Sequence, residues 1–98
     1  MDYPALEAFA PYVNTKFVMH YSAENSAELT LVSAVDVGST PRQIQFSLVF
    51  QGPGNGPINQ GVYRLEHEAL GSLDVFLVPI ARDNGGLSYE AVFNRFVE

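Results

Sequence analysis

Residues 42–51 alternate between apolar and polar side chains more strictly than any other part of the chain. Side chains of a β-strand point alternately to its two faces, whereas a helix would scatter the large apolar ones around its circumference. A strand with one apolar and one polar face is typical of an antiparallel sheet that covers a core on one side. The segment therefore predicts a half-buried strand with four core-facing residues: Ile44, Phe46, Leu48 and Phe50.

Five further segments are predicted as strands, and turn-forming residues separate them. In chain order they are residues 16–21, 28–37, 61–67, 73–79 and 87–96. Residues 73–79 are almost continuously apolar, which predicts burial on both faces or a position inside a barrel. Because proline cannot donate to a β-ladder, Pro79 is expected to end its strand or to lie at a sheet edge.

The first dozen residues have a helical pattern instead. Pro4 can occupy the first turn of a helix, and Leu6, Phe9 and Val13 recur at helical spacing. Pro11 is expected to end this helix. We expect Leu6 and Phe9 to plug one end of the β structure.

The predicted fold is therefore mainly all-β. We expect a six-stranded antiparallel meander, as a small β-barrel or barrel-like sandwich, with one short N-terminal helix over about residues 4–12. The connections are too short for crossover helices, which is why consecutive strands are expected to pair. A chain of 98 residues forms one core, so residues 1–98 are predicted to be a single domain.

The charge balance argues against two classes of partner. Five Lys and Arg residues stand against eleven Asp and Glu, for a net charge of −6, and the basic residues are spread singly. Nucleic acids and anionic membranes bind patches of Lys and Arg, so neither is an expected partner. Charged residues make up only 16% of the chain, which leaves neutral surface for a protein partner or a second copy.

The chain contains no cysteine, which excludes disulfides and thiolate metal sites. Its first residues lack the basic start and apolar run of a signal peptide, and no apolar run approaches the ~20 residues of a membrane span. A cytoplasmic location is the default expectation. Export without a signal, or assembly into a particle, is the alternative.

Two histidines are the natural candidates for chemistry. A catalytic or zinc site would need His20, His67 and an acid such as Glu90 to converge. Glu66 and Glu68 lie on the opposite face of a strand from His67, so this triplet cannot hold one ion. We therefore predict a solvated strand end and a hydrogen-bonded sheet histidine. No catalytic, cofactor or metal residue is assigned.

The glycine-rich segment 52–57 lacks the Lys-Ser/Thr and the helix start of a phosphate loop, and it is predicted to be a long hairpin connection. The last strand, residues 89–96, can be an edge that pairs with a neighbouring subunit. The favoured interpretation is a core strand. Tyr89, Ala91 and Phe93 then face inward, and Glu90 or Arg95 bonds to another strand.

Three segments, 46–53, 60–67 and 89–95, resemble an uncharacterised family of short bacterial proteins, a domain of unknown function. That family also has a Leu-x-x-Phe helical start, as Leu6 and Phe9 form here. Its genes often lie near those of phage-tail-collar-like fibre proteins. The resemblance implies an accessory or structural part of a phage-tail-like or fibre system, and it supplies no catalytic residues.

Three functional hypotheses follow. The first is a non-enzymatic structural or protein-interaction domain that binds a fibre or tail-like protein or copies of itself. The second is a small β-barrel that binds a small apolar ligand, with Tyr63, Tyr89 and Phe76 lining the pocket. The third is an enzyme that uses His20 or His67 with a carboxylate. The first is favoured, because the chain lacks catalytic motifs and carries little charge.

Overall fold

A computed structural model describes residues 5–83 and 86–96 of the chain. One α-helical turn, α1 (Leu6–Phe9), is followed by a 3₁₀ turn over Ala10–Tyr12. The strands are β1 (Lys16–His20), β2 (Ser26–Asp36), β3 (Gln43–Gly52), β4 (Gly61–His67), β5 (Gly71–Asp83) and β6 (Gly86–Phe96). The predicted fold class, antiparallel β with one short N-terminal helix, is confirmed. None of the described helices is long and apolar enough to cross a membrane.

The N-terminal helix closes one end of the β structure. Phe9 is 1% exposed, and its ring centroid lies 6.1 Å from that of Phe46 and 5.8 Å from that of Phe93. Leu6 packs against the same core. The predicted plug is confirmed, although the chain continues through Pro11 as a 3₁₀ turn. Pro4, the predicted helix start, lies outside the described residues.

Alternate residues of the strands build one apolar core. β3 shows the pattern most clearly, with Phe46, Leu48 and Phe50 all at most 1% exposed. The other buried apolar residues are Phe9, Phe17, Met19, Leu29, Leu31, Leu65, Val75, Leu77, Leu87, Tyr89 and Ala91. Every strand contributes inward-facing side chains to this core, and the sheet closes around them.

The strands close into a ring in the order β1-β2-β3-β6-β5-β4. The predicted meander holds within β1–β3 and within β4–β6, but β3 pairs with β6 and β4 with β1. Strand length explains why β3 pairs with β6 rather than with β4. The ladder between β3 and β6 extends from the pair Gln43 and Phe96 to the pair Gly52 and Leu87, whereas β4 is a short strand. The ring is uneven: β1 meets β4 only at Val18–His20.

The fifth strand divides its length between two neighbours. Residues 71–77 pair with β4, and the chain beyond pairs with β6. Contrary to prediction, β5 does not end at Pro79 but runs on to Asp83, with a register shift between Pro79 and Ala81. The predicted edge position is confirmed, because β4 no longer accompanies β5 at Pro79.

The sequence Asp83-Asn84-Gly85-Gly86 predicts a turn between β5 and β6, and Asp83 pairs with Gly86. The other two residues of the predicted turn, Asn84 and Gly85, lie outside the described residues. Gly86 has a φ of 118°, and a Cβ atom there would lie 2.0 Å from the carbonyl oxygen of Gly52. Only glycine fits this close approach of two backbones.

Candidate interaction surface

The outer face of β4 and β5 carries an exposed apolar pair. Val62 and Phe76 are direct partners in the antiparallel register, and they are 68% and 50% exposed. Side chains paired in this way have Cβ atoms roughly 4.5–5.5 Å apart. The two residues therefore form one apolar surface rather than two isolated ones.

Phe76 corrects a prediction about its strand. The apolar run 73–79 is not buried on both faces, because Val75 and Leu77 point into the core while Phe76 points to solvent. Covering that second face would need a further layer of structure, and the described chain supplies none over Phe76. The apolar side chain is thus left available to another molecule.

The apolar surface continues from β5 to β6. Val78 follows Phe76 by two residues and is half-buried opposite Glu90 of β6. Val92 follows Glu90 by two residues on the same face and is 61% exposed. We call Val62, Phe76, Val78 and Val92 the outer patch.

β5 and β6 separate beside the outer patch. The two strands pair from Val78 and Glu90 towards the end of β5 and the start of β6. Before Val78, β5 pairs with β4 only, and after Glu90, β6 pairs with β3 only. Within the described ranges, residues 71–77 and 91–96 therefore each have a β-partner on one side only. Phe76 and Val92 flank this separation.

A charged network borders the outer patch. The Nε of Arg64 donates to Oδ1 of Asp74 at 3.0 Å, on the outward row next to Val62 and Phe76. His20 lies opposite Arg64 on β1, and its Nε2 lies 2.7 Å from Oε1 of Glu66, two residues further along β4. An apolar centre beside a polar rim is the usual composition of a protein interface.

These surface pairs shift the ionisation of their members. The hydrogen bond from His20, and then its charge, lower the pKa of Glu66. The hydrogen bond to Asp74, and then its charge, raise the pKa of Arg64. Because the groups are exposed, the pairs fix side-chain positions more than they stabilise the fold.

The structure separates the residues that an enzyme or zinc site would need together. His20 lies on the outer face of β1 beside Glu66, and His67 faces inward at the end of β4. Glu90 accepts a hydrogen bond from Ser47 Oγ at 2.8 Å, which is the predicted bond from the last strand to another strand. The described residues contain no group of three or more His, Asp or Glu that could hold a metal ion.

His67 is hydrogen-bonded through both ring nitrogens. Nδ1 accepts the backbone N–H groups of Ala69 at 3.0 Å and Leu70 at 3.3 Å, and Nε2 lies 3.0 Å from Thr15 Oγ1. Since the Thr15 hydroxyl donates to the carbonyl of Tyr12 at 2.6 Å, Nε2 is assigned as the donor to Thr15. The predicted hydrogen-bonded sheet histidine is His20, which bonds to Glu66. His67 is instead half-buried and bonded within the fold, so the prediction of a solvated strand end is wrong for it.

A surface cleft of about 560 Å³ opens beside His67. It is lined by Tyr12, Thr15, Lys16, His67, Glu68 and Ala69. Because the fold already uses both nitrogens of the imidazole, this ring does not offer the cleft a vacant donor or acceptor. The cleft is therefore weaker as a site than the outer patch.

The three aromatic residues proposed to line a ligand pocket do not line one cavity. Tyr89 is buried, and its hydroxyl donates to the carbonyl of Pro57 at 2.7 Å. Tyr63 is half-buried and donates to the carbonyl of Asn59 at 2.5 Å, whereas Phe76 points outward. Burial of the Tyr89 hydroxyl raises its pKa.

The glycine-rich segment connects strands that do not pair. Gly52 belongs to β3, and the N–H of Gly56 donates to the carbonyl of Pro53 at 3.1 Å in a turn. The predicted hairpin connection is wrong, because β3 lies between β2 and β6 in the ring. The bond from Tyr89 to Pro57 ties this segment to the core.

Sequence patterning does not reveal the outer patch as a unit. Period-two alternation places Val92 on the face opposite Tyr89, and this is confirmed. The continuous apolar run around Phe76 conceals which of its members point outward. The neighbourhood of Val62, Phe76 and Val92 follows from the registers of β4, β5 and β6.

These features define a small, uneven β-barrel domain with a packed core and an apolar outer patch. Residues 4–93 match the model of the family described as Domain of unknown function (DUF6916), and the chain belongs to that family. The expected membership of an uncharacterised family is thereby confirmed. No curated protein and no solved structure matches the chain.

Proposed function

We propose that this domain is a non-enzymatic structural or protein-interaction module that binds another protein through the outer patch. The exposed pair Val62 and Phe76 carries the proposal. Burying apolar surface is favourable by roughly 25 cal/mol per Å², so a partner that covers these side chains gains free energy. Contiguous exposed apolar surface marks interaction sites more often than isolated side chains do.

The packing of the core supports a function at the surface. The buried apolar residues of the core are at most 5% exposed, and the aromatic residues Tyr63 and Tyr89 use their hydroxyl groups within the fold. A ligand-binding barrel instead needs interior space for its ligand. The outer patch is consequently the stronger candidate site.

Charge and family bear on the kind of partner. The chain carries a net charge of −6, which favours a partner whose facing surface is neutral or basic. The family resemblance implies a fibre or tail-like protein as the first partner to look for. Within such a system the domain would act as an accessory or assembly component.

Affinity capture with matched variants tests the proposal. The tagged chain is expressed in its native host as wild type, as Phe76→Asp and as Val32→Asp, and captured proteins are identified by mass spectrometry. Val32 is 39% exposed on β2, which β3 separates from β6, so it serves as the control. We expect one protein to be captured by wild type and Val32→Asp but not by Phe76→Asp. Equal capture by all three folded variants would contradict the proposal.

A further inference from the structure

We propose that the partner of this surface is a second copy of the same chain, which pairs its β6 edge antiparallel to β6 of the first. This inference rests on the proposed function, because Val92 belongs both to the outer patch and to the paired edge. It is carried by the direction of the backbone groups of β6, by the sequence of the edge, and by the fact that no strand within residues 5–83 and 86–96 pairs with that edge.

The hydrogen bonds of β3 fix which groups of β6 face outward from the sheet edge. The N–H of Val37 donates to the carbonyl of Gln45 at 3.0 Å, so the backbone of Gln45 is directed to β2. Backbone groups alternate in direction along a strand, so Phe46 is directed to β6, where it pairs with Phe93. Phe93 is in turn directed to β3, and its neighbours Val92 and Asn94 are directed away from β3.

A second set of bonds gives the same assignment independently. The backbone N–H and C=O of Leu31 bond to Thr15 and Asn14, away from β3. Its partner Phe50 is therefore directed to β6, as Phe46 is. By the same alternation, Val92, Asn94 and Phe96 present their backbone N–H and C=O groups to the side of β6 away from β3.

No described strand pairs with these three residues on that side. The pairing of β6 with β5 reaches Glu90 and stops. Natural sheets protect such edges with lysine, proline or a bulge. Here the outward side chains are those of Val92, Asn94 and Phe96, and the two apolar ones are 61% and 76% exposed.

The edge is complementary to itself about Asn94. A two-fold axis through Asn94 places it opposite the same residue of the copy, and it places Val92 opposite the copy's Phe96. All three residues with outward backbone groups are then matched, and the apolar side chains cover each other. An axis through Phe93 would instead place Phe96 opposite the copy's Glu90, which is already paired with Val78.

The charge of the edge allows two copies to meet. Residues 91–96 contain no acidic side chain, although the whole chain carries −6. Like charges directly opposite each other are what destabilise a cross-strand pair, and over residues 92–96 this register contains none. The remaining repulsion between the two copies acts at long range and is screened by salt, with a Debye length of roughly 8 Å at physiological ionic strength.

Molar mass measured by light scattering after size exclusion tests the inference, over a series of concentrations. Asn94→Pro removes the outward N–H, and proline is tolerated on sheet edges. Asn94→Ala keeps that N–H and is the matched control. We expect wild type and Asn94→Ala to rise with concentration from 10.8 kDa towards twice that mass, and Asn94→Pro to remain at 10.8 kDa.

A charge-swap pair tests the register even if the proline variant does not fold. Asn94→Lys and Asn94→Glu should each weaken the dimer roughly fivefold or more, since the like charges oppose each other across the axis. An equimolar mixture of the two should restore it. A dimer that is unaffected by these variants would overturn the inference.

A wild-type chain that stays monomeric at every concentration would also overturn the inference. If Phe76→Asp nevertheless loses a captured protein that Val32→Asp retains, the outer patch binds that different protein and the proposed function stands. If the chain is monomeric and capture is the same for all variants, both proposals fail.

Discussion

Val62 and Phe76 stand directly opposite each other on β4 and β5, and both side chains are turned to solvent. Their strands have well-buried neighbours in Leu65 and Leu77, so the fold does not need the exposed pair for its core. An apolar side chain that is costly in water and unused in packing is best explained by a partner that covers it.

Adjacent residues of β5 should differ sharply in their effect on stability. Phe76→Ser should cost only about 1 kcal/mol, because half of the side chain is exposed and even full burial of a phenylalanine contributes about 1.5–3 kcal/mol. Leu77→Ala should cost about 2–5 kcal/mol, because it opens a cavity in the core. Urea denaturation of the two variants measures both values. A large loss in Phe76→Ser would show that Phe76 packs within the fold.

The glycine at the start of β6 should be irreplaceable. Gly86→Ala combines a φ of 118° with a Cβ atom 2.0 Å from the Gly52 carbonyl oxygen, so we expect a loss of about 1–3 kcal/mol or more. Gly61→Ala is the control, because its added Cβ meets nothing within 4 Å. Thermal unfolding compares them, and equal melting temperatures would contradict the close approach of Gly86 to Gly52.

The Tyr89 hydroxyl should make the fold sensitive to high pH. Burial, followed by the charges of Tyr63 and Tyr21, raises the pKa of Tyr89, so the folded state holds its proton more tightly than the unfolded state. The stabilisation is fully present below the ordinary pKa of 10.0 and is lost as the pH rises through the folded value.

Tyr89→Phe tests both roles of that hydroxyl. Loss of the bond to Pro57 should cost about 0.5–1.5 kcal/mol at neutral pH. The variant should also lose part of the decline in stability above pH 10, which denaturation at a series of pH values would measure. An unchanged alkaline profile would mean that other groups control it.

The contact between His20 and Glu66 should be visible in a carboxyl titration. NMR of the Glu66 side chain should give a pKa below the ordinary 4.5, and His20→Ala should raise it towards that value. Ser72→Ala should raise it less, because the Ser72 bond is a smaller cause. The contact stabilises the fold above the unfolded pKa and is lost as the pH falls through the folded value. No response to His20→Ala would exclude the contact.

Local patterning predicts the strands but not their neighbours. The bounds of β4 agree with prediction at both ends, and those of β3 agree to within one residue, because period-two alternation is a property of each strand alone. The pairing of β3 with β6 depends on contacts far apart in sequence. The outer patch depends on the registers of β4 with β5 and of β5 with β6, which alternation within each strand does not fix.

The β5 strand shows a second limit of patterning. A continuous apolar run does not state which of its residues face the core, so Phe76 is indistinguishable from Leu77 before the register is known. Pro79 likewise indicates an edge correctly but not the register shift that lets β5 continue. Hydrophobic content predicts well that a segment is a core strand. It does not predict which apolar residues of that strand stay exposed and are available to a partner.

Site-specific photocrosslinking in the native host tests most directly whether the outer patch binds protein. A photoreactive phenylalanine analogue replaces Phe76 in one chain and Val32 in another, and crosslinked products are separated by mass and identified. We predict a discrete protein adduct, either a second copy or a different protein, from position 76 and none from position 32. The absence of any adduct at position 76, or the same adducts at both positions, would contradict the assignment of the outer patch as an interaction surface.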